Sequence, residues 1–126
     1  MAERLLIVED EETLRESLKR VLLKEGYDVD SVGSAEAALD NIEDTSYDLI
    51  ITDIILPGLN GIGLLRRCRE KNPFLKVIII TAYASIETAV EAMKIGAYEY
   101  MVKPIIHEEI LNVVQRALQA GSSKTG

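Results

Sequence analysis

Tyr47-Asp-Leu-Ile-Ile-Thr-Asp-Ile-Ile-Leu-Pro-Gly58 decides the fold. Its run Leu49-Ile50-Ile51 is short, apolar and rich in β-branched side chains, which suits a strand covered on both faces. Leu56-Pro57-Gly58 then ends it, because proline has no ladder donor and glycine supplies turn geometry. The strand therefore delivers one carboxylate, Asp53, to its C-terminal end, the side of an α/β sheet on which ligands usually bind. Taken alone, Asp53 could equally cap a turn. Acids elsewhere in the chain shift that balance.

Working outward, Arg4-Leu-Leu-Ile-Val8 is a second apolar strand that runs into Glu9-Asp10-Glu11-Glu12. From Thr13 the period becomes helical, with Leu14, Leu18, Val21 and Leu22 on one stripe and Gly26 as the stop. Tyr27 to Val32 alternates with period two, as expected of a strand at a sheet edge with one wetter face. Ser34 can cap a second helix carrying Ala35, Ala38, Leu39 and Ile42. Beyond the central strand, Asn60 can cap a third helix that turns Ile62, Leu65 and Cys68 inward and closes at Asn72-Pro73. Val77 to Ile80 is another apolar strand, ending in Thr81-Ala82. Ser85 caps a fourth helix whose stripe Ile86, Ala89, Val90 and Met93 is expected to face the core, with Gly96 at its end. A weaker strand over 98–102 ends in Lys103-Pro104. The last helix is expected from about Glu108 to Leu118, with Ile110, Val113, Val114 and Ala117 inward.

Five repetitions of strand then helix predict an α/β fold, a flavodoxin-like (βα)5 doubly wound sandwich on a five-stranded parallel sheet. Its common strand order is 2-1-3-4-5. The expected domain covers residues 1–120, with 121–126 as a flexible tail or the start of a linker. At 126 residues one core is accommodated and a second domain is not. No apolar run approaches the roughly 20 residues of a membrane span, and no secretory leader opens the chain, so a cytoplasmic location without membrane contact is expected. A net charge of −7 opposes direct binding of nucleic acid. The single cysteine, Cys68, can form neither an internal disulfide nor a cysteine metal pair. His107 reads as a helix-start residue.

In that strand order Glu9, Asp10 and Asp53 converge in one crevice, with Thr81 and Lys103 on neighbouring strand ends. Three crowded carboxylates stay ionised cheaply only beside a cation. Their oxygens suit Mg²⁺ or Mn²⁺ and not zinc. A carboxylate attacking a phosphoryl group needs such neutralisation, which Lys103 can add to. Thr81 offers a hydroxyl to a phosphoryl oxygen.

The blocks Ile7-Val-Glu-Asp-Glu11, Asp48-Leu-Ile-Ile-Thr-Asp-Ile-Ile-Leu-Pro-Gly-Leu-Asn-Gly61, Ile79-Ile-Thr-Ala82 and Tyr100-Met-Val-Lys-Pro104 resemble, in order and spacing, the motifs of two-component response regulator receiver domains. The resemblance implies that Asp53 accepts phosphate from a sensor histidine kinase. It implies Mg²⁺ held by Asp10, Asp53 and the backbone carbonyl of Ile55, with Glu9, where many members have aspartate, acting through a metal-bound water. Thr81, Tyr100 and Lys103 match the switch hydroxyl, the switch aromatic and the phosphate-binding lysine, and Lys103-Pro104 matches a cis bond. Leu56-Pro-Gly-Leu-Asn-Gly-Ile62, Ile80-Thr-Ala-Tyr83 and Ala92-Met-Lys-Ile-Gly-Ala-Tyr98 are similar to receivers of the nitrogen-regulatory, sigma-54 activator class. That class implies transcription regulation through a C-terminal output domain. A movement of Thr81 and Tyr100 is expected to change the face of the fourth helix, fifth strand and fifth helix, which would carry the contact to another receiver, as a phosphorylation-dependent homodimer, or to an output domain. A single-domain phosphorelay module is the alternative. Such a protein is a phosphoacceptor and not an enzyme with turnover. A haloacid-dehalogenase-like phosphatase needs an acid two positions after the nucleophile, where Ile55 stands. A flavodoxin-like carrier needs a phosphate-cradling loop where Glu9-Asp-Glu-Glu12 would repel it.

Overall fold

The computed structural model describes residues 2–123. Its elements are β1 (Arg4–Val8), α1 (Glu12–Lys24), β2 (Asp28–Val32), α2 (Ala35–Asp44), β3 (Leu49–Asp53), α3 (Gly61–Lys71), β4 (Lys76–Thr81), α4 (Ile86–Ile95), β5 (Glu99–Val102) and α5 (His107–Ser123). The strands form one parallel sheet in the order β2-β1-β3-β4-β5. β2 lies at an edge, as its alternating pattern predicts.

The central strands are apolar throughout because each of their faces is covered. Leu6, Val8, Ile50, Val77 and Ile79 join one buried cluster with Ala35 and Ala38 of α2 and Ile62, Leu64, Leu65 and Cys68 of α3. Leu5, Ile7, Leu49, Ile51, Ile78 and Ile80 join the other, with Leu18 and Leu22 of α1 and Ile110, Val113, Val114 and Ala117 of α5. Successive residues of each strand thus alternate between two separate cores.

The helix starts follow the sequence. Ser34, Asn60 and Ser85 each accept a hydrogen bond through the side chain from the N–H three residues on, at 3.1, 2.9 and 3.1 Å. Gly26 follows α1 and Gly96 ends α4, as expected.

Two expectations need correction. The apolar stripe of α4 does not face the core: Ile86 is 84% exposed, Val90 47% and Met93 48%, while Ala89 is half-buried. Ala92 is the only residue of α4 that is fully buried. Periodicity shows that a helix has an apolar face, but it does not show that another element covers it. The second correction is at the end of the chain, where α5 continues past Leu118 to Ser123: Gln119 and Ala120 are good helix formers, and Gly121 disfavours a helix without ending this one. Of the tail expected over 121–126, residues 124–126 lie outside the described residues.

The uneven covering of the helices has a measurable consequence. Ile110→Ala on α5 removes a fully buried side chain and is expected to cost about 2–5 kcal/mol in urea denaturation. Ile86→Ala on α4 is expected to stay within about 0.5 kcal/mol of the parent protein. Equal losses would show that the α4 stripe is covered after all.

Candidate functional site

The strand order places the C-terminal ends of β1 and β3 side by side, with Val8 opposite Thr52, so Glu9 and Asp53 emerge next to each other. Asp53 also pairs with Ile80 of β4, which sets Thr81 one step beyond it, and Thr81 pairs with Val102, the residue before Lys103. The Lys103 N–H donates to the Thr81 carbonyl at 2.8 Å, tying the last strand ends together.

Glu9, Asp10 and Asp53 come together as expected, each with one carboxylate oxygen within 4.8 Å of the others. Glu9 is fully buried and Asp53 is 4% exposed, whereas Asp10 opens to solvent. Lys103 Nζ lies between the two buried acids, donating to Glu9 Oε1 at 2.8 Å and to Asp53 Oδ2 at 2.6 Å. Such short charge-assisted bonds are the strong kind. The other Asp53 oxygen, Oδ1, accepts the Ile55 N–H at 3.1 Å. Glu9 Oε2 accepts the Glu11 N–H at 3.0 Å, and Arg15 Nη1 donates to the Glu9 carbonyl at 2.8 Å.

Burial pushes the Glu9 carboxyl above its ordinary value, the repulsion of Asp53 adds to this, and the bonds from Lys103 and Glu11 offset it in part. Burial alone would lower the Lys103 ammonium. Its bonds to Asp53 and Glu9 outweigh that and hold it above the ordinary lysine value.

Space behind Asp53 is tight. A Cβ on Gly61 would lie 2.0 Å from the Asp53 carbonyl oxygen, so only glycine lets α3 begin against the end of β3. Gly61 N–H also donates to the Ile54 carbonyl at 2.8 Å.

Thr81 is buried, and its hydroxyl oxygen accepts the Tyr83 N–H at 3.0 Å. A hydroxyl that accepts still carries a proton to donate. Tyr100 stands apart from the acids: it packs on the α2–α3 side core, and its hydroxyl meets Thr88 Oγ1 at 2.6 Å. Thr88 Oγ1 in turn meets the capping Ser85 Oγ at 2.9 Å. Sequence reasoning missed Thr88 and Arg15. The position of Thr88 three residues after an N-cap was a visible signal for the first; nothing local pointed to the second. The Lys103–Pro104 bond is cis.

Other metal-binding residue types do not join the site. Cys68 is buried in the core, its thiol pushed up to about 11 by desolvation. His107 opens α5 and faces Ser17 of α1 at 3.4 Å. All the donors at the acidic cluster are hard oxygens, which fit Mg²⁺ or Mn²⁺.

The family model for the response regulator receiver domain matches residues 5–115. The chain belongs to that family. The receiver is 42% identical over 116 residues to the response regulator protein FleR of Pseudomonas aeruginosa, covering 92% of this chain and 24% of FleR. It is 35% identical to the DNA-binding transcriptional regulator NtrC of Azospirillum brasilense, covering 94% of this chain and 24% of NtrC. The receiver thus spans about a quarter of the length of these relatives. Among solved structures, a CheY-like receiver domain from Methanospirillum hungatei superposes with a TM-score of 0.96 at 32% identity, covering 98% of this chain and 99% of that one. The beryllofluoride-activated NtrC4 receiver domain dimer has a TM-score of 0.89 at 34% identity, covering 94% of this chain and 98% of that one.

The raised carboxyl of Glu9 gives a pH signature. A folded-state carboxyl held above its ordinary value of 4.5 keeps a proton that the unfolded chain has lost, so its contribution to stability falls as pH rises from 4.5 through the folded value. Urea denaturation of the metal-free receiver and of Glu9→Gln between pH 4.5 and 7 should show the difference shifting in favour of Glu9→Gln as pH rises. Parallel profiles would show that Glu9 carries no such cost. Lys103, held above 10.5, contributes no slope in that window.

Proposed function

We propose that Asp53 accepts a phosphoryl group from the phosphohistidine of a sensor histidine kinase, in a transfer dependent on Mg²⁺ or Mn²⁺. The observation that carries this is the Lys103 ammonium lodged between Glu9 and Asp53, with Asp10 open to solvent beside them. An aspartate whose charge is partly neutralised by a lysine at the mouth of a sheet is prepared to approach another anion. An Asp53 oxygen forms the bond to phosphorus as the bond from phosphorus to the imidazole nitrogen breaks, and the imidazole leaves with the electron pair.

Glu9, Asp10, Asp53 and the Ile55 carbonyl would hold the cation, Glu9 through a bound water, and the cation supplies charge neutralisation when bound. The Ile55 N–H fixes the Asp53 carboxylate, and Lys103 stays with the charge that develops on the phosphoryl oxygens. Thr81 donates its remaining proton to one of them. With the apolar Ile55 two positions after Asp53, no carboxylate stands there to activate water. The phospho-aspartate is thus expected to persist, and the receiver acts as a phosphoacceptor and not as a turnover enzyme.

The same bonds suggest how the state of Asp53 is read out. Thr81 holds Tyr83, Tyr83 leads into Ser85, and Ser85 and Tyr100 share Thr88 at the start of α4. A pull on the Thr81 hydroxyl would therefore act on the α4 cap and on Tyr100, and α4 buries only Ala92 fully, with Ile95 partly packed on the core. The exposed Ile86, Val90 and Met93 of α4 and Val102 of β5 lie on the surface that would change. A phosphorylation-dependent homodimer through α4, β5 and α5 would use that surface; the similar NtrC4 receiver domain is a dimer in its beryllofluoride-activated form. In the whole protein it would control a C-terminal output domain in transcription regulation, in the cytoplasm. No helix among the described residues is long and apolar enough to cross a membrane. With net charge −7 the domain itself is not expected to touch nucleic acid.

Incubation with acetyl phosphate and MgCl₂ is expected to add one phosphoryl group by intact-mass spectrometry. Asp53→Asn should take up none, and chelation of the metal should abolish uptake by the parent protein. Equal labelling of Asp53→Asn would contradict the assignment.

A further inference from the structure

The segment after Asp53 has an anchor outside the acidic cluster. Leu59 N–H donates to Glu36 Oε2 at 2.9 Å, a bond from the loop between β3 and α3 to the first turn of α2. Among the described residues it is the only hydrogen bond that reaches the backbone of residues 55–60 from an element other than β3 or α3. Gly58 leaves room for it. Its φ is +74°, and a Cβ there would lie 2.6 Å from Glu36 Oε2. The carboxylate is therefore seated against the turn and not merely near it. Bonds from the Leu59 N–H and from its own N–H hold the Glu36 carboxyl below its ordinary value.

At the other end of the same loop, Ile55 N–H donates to Asp53 Oδ1, which leaves Oδ2 facing Lys103. The two anchors lie four residues apart on one short loop, so what holds Leu59 limits where the Ile55 amide can point. We infer that Glu36 is a positioning residue for the acceptor site: by holding Leu59 it keeps the loop in the shape in which Ile55 orients the Asp53 carboxylate. Glu36 touches neither the acids nor Lys103, and it acts only through the loop. The inference rests on the acidic cluster being the cation and phosphoryl site proposed above.

The test uses Mn²⁺ alone, titrated into the receiver and followed by the paramagnetic resonance signal of the free ion, beside amide hydrogen exchange without metal. Glu36→Ala is expected to weaken Mn²⁺ binding by about tenfold, as loss of an outer support does at metal sites. It should speed exchange at Ile55 and Leu59 while leaving the sheet ladders as protected as before. Glu36→Gln keeps an oxygen to accept the Leu59 N–H and should stay close to the parent protein in both measurements. Glu36→Ala with unchanged affinity, or with unchanged exchange at Ile55, overturns the inference. Glu36→Gln as weak as Glu36→Ala also overturns it, because the effect would then be that of a distant negative charge. A parent receiver that binds no Mn²⁺ overturns the functional reading itself.

Discussion

The fold gathers like charges at one buried edge and must neutralise them. Three carboxylates lie at the ends of β1 and β3, two of them out of water, and the repulsion among them is a cost paid by the folded state alone. Lys103 offsets it by bridging Glu9 and Asp53 from the end of β5. Removing one partner of a buried ion pair typically costs several kcal/mol, because the remaining charge is left without compensation. The arrangement is thus stable at rest and still able to accept further positive charge at the exposed side, through Asp10.

The rest of the molecule keeps these groups in register. Strands buried on both faces need helices on both faces, and right-handed crossovers then bring β1 and β3 together at the point where the chain reverses. The glycine at 61 lets α3 start hard against Asp53. Beside α3 on the same face of the sheet, α4 is held more loosely, with Ala92 in the core, Ile95 partly packed on it, and Ile86, Val90 and Met93 in solvent. An element with few buried contacts is the one that can move at low cost, and it carries the Thr88 hydroxyl that holds Tyr100.

Much of this was legible in the sequence, for physical reasons that also explain the misses. Leu49-Ile50-Ile51 and Val77 to Ile80 announced buried strands because continuous apolar runs of that length fit few other structures, and Ser34, Asn60 and Ser85 announced helix starts through a purely local bond. Alternation of the elements then implied the sheet order, and the sheet order implied the meeting of Glu9, Asp10 and Asp53. What could not be read depends on neighbours distant in sequence. The stripe on α4 was visible, but its lack of cover was not. Glu36 and Arg15 look like ordinary surface charges of helices until the loops they hold are placed beside them. The end of α5 was misjudged because Gly121 reads as a stop, as Gly26 and Gly96 do, yet lies within the helix.

The central claim is that Lys103 is the resting counter-ion shared by Glu9 and Asp53, and that the acceptor chemistry works by changing its partners. The ¹⁵N-edited NMR signal of the Lys103 ammonium tests it most directly. In the metal-free receiver at neutral pH, an ammonium bound to two carboxylates should give a resolved, slowly exchanging signal, displaced from those of surface lysines. Addition of Mg²⁺ with beryllofluoride should shift that signal, and Asp53→Asn should move it in the metal-free state. A Lys103 signal that exchanges like a surface lysine and does not respond to Asp53→Asn would contradict the account.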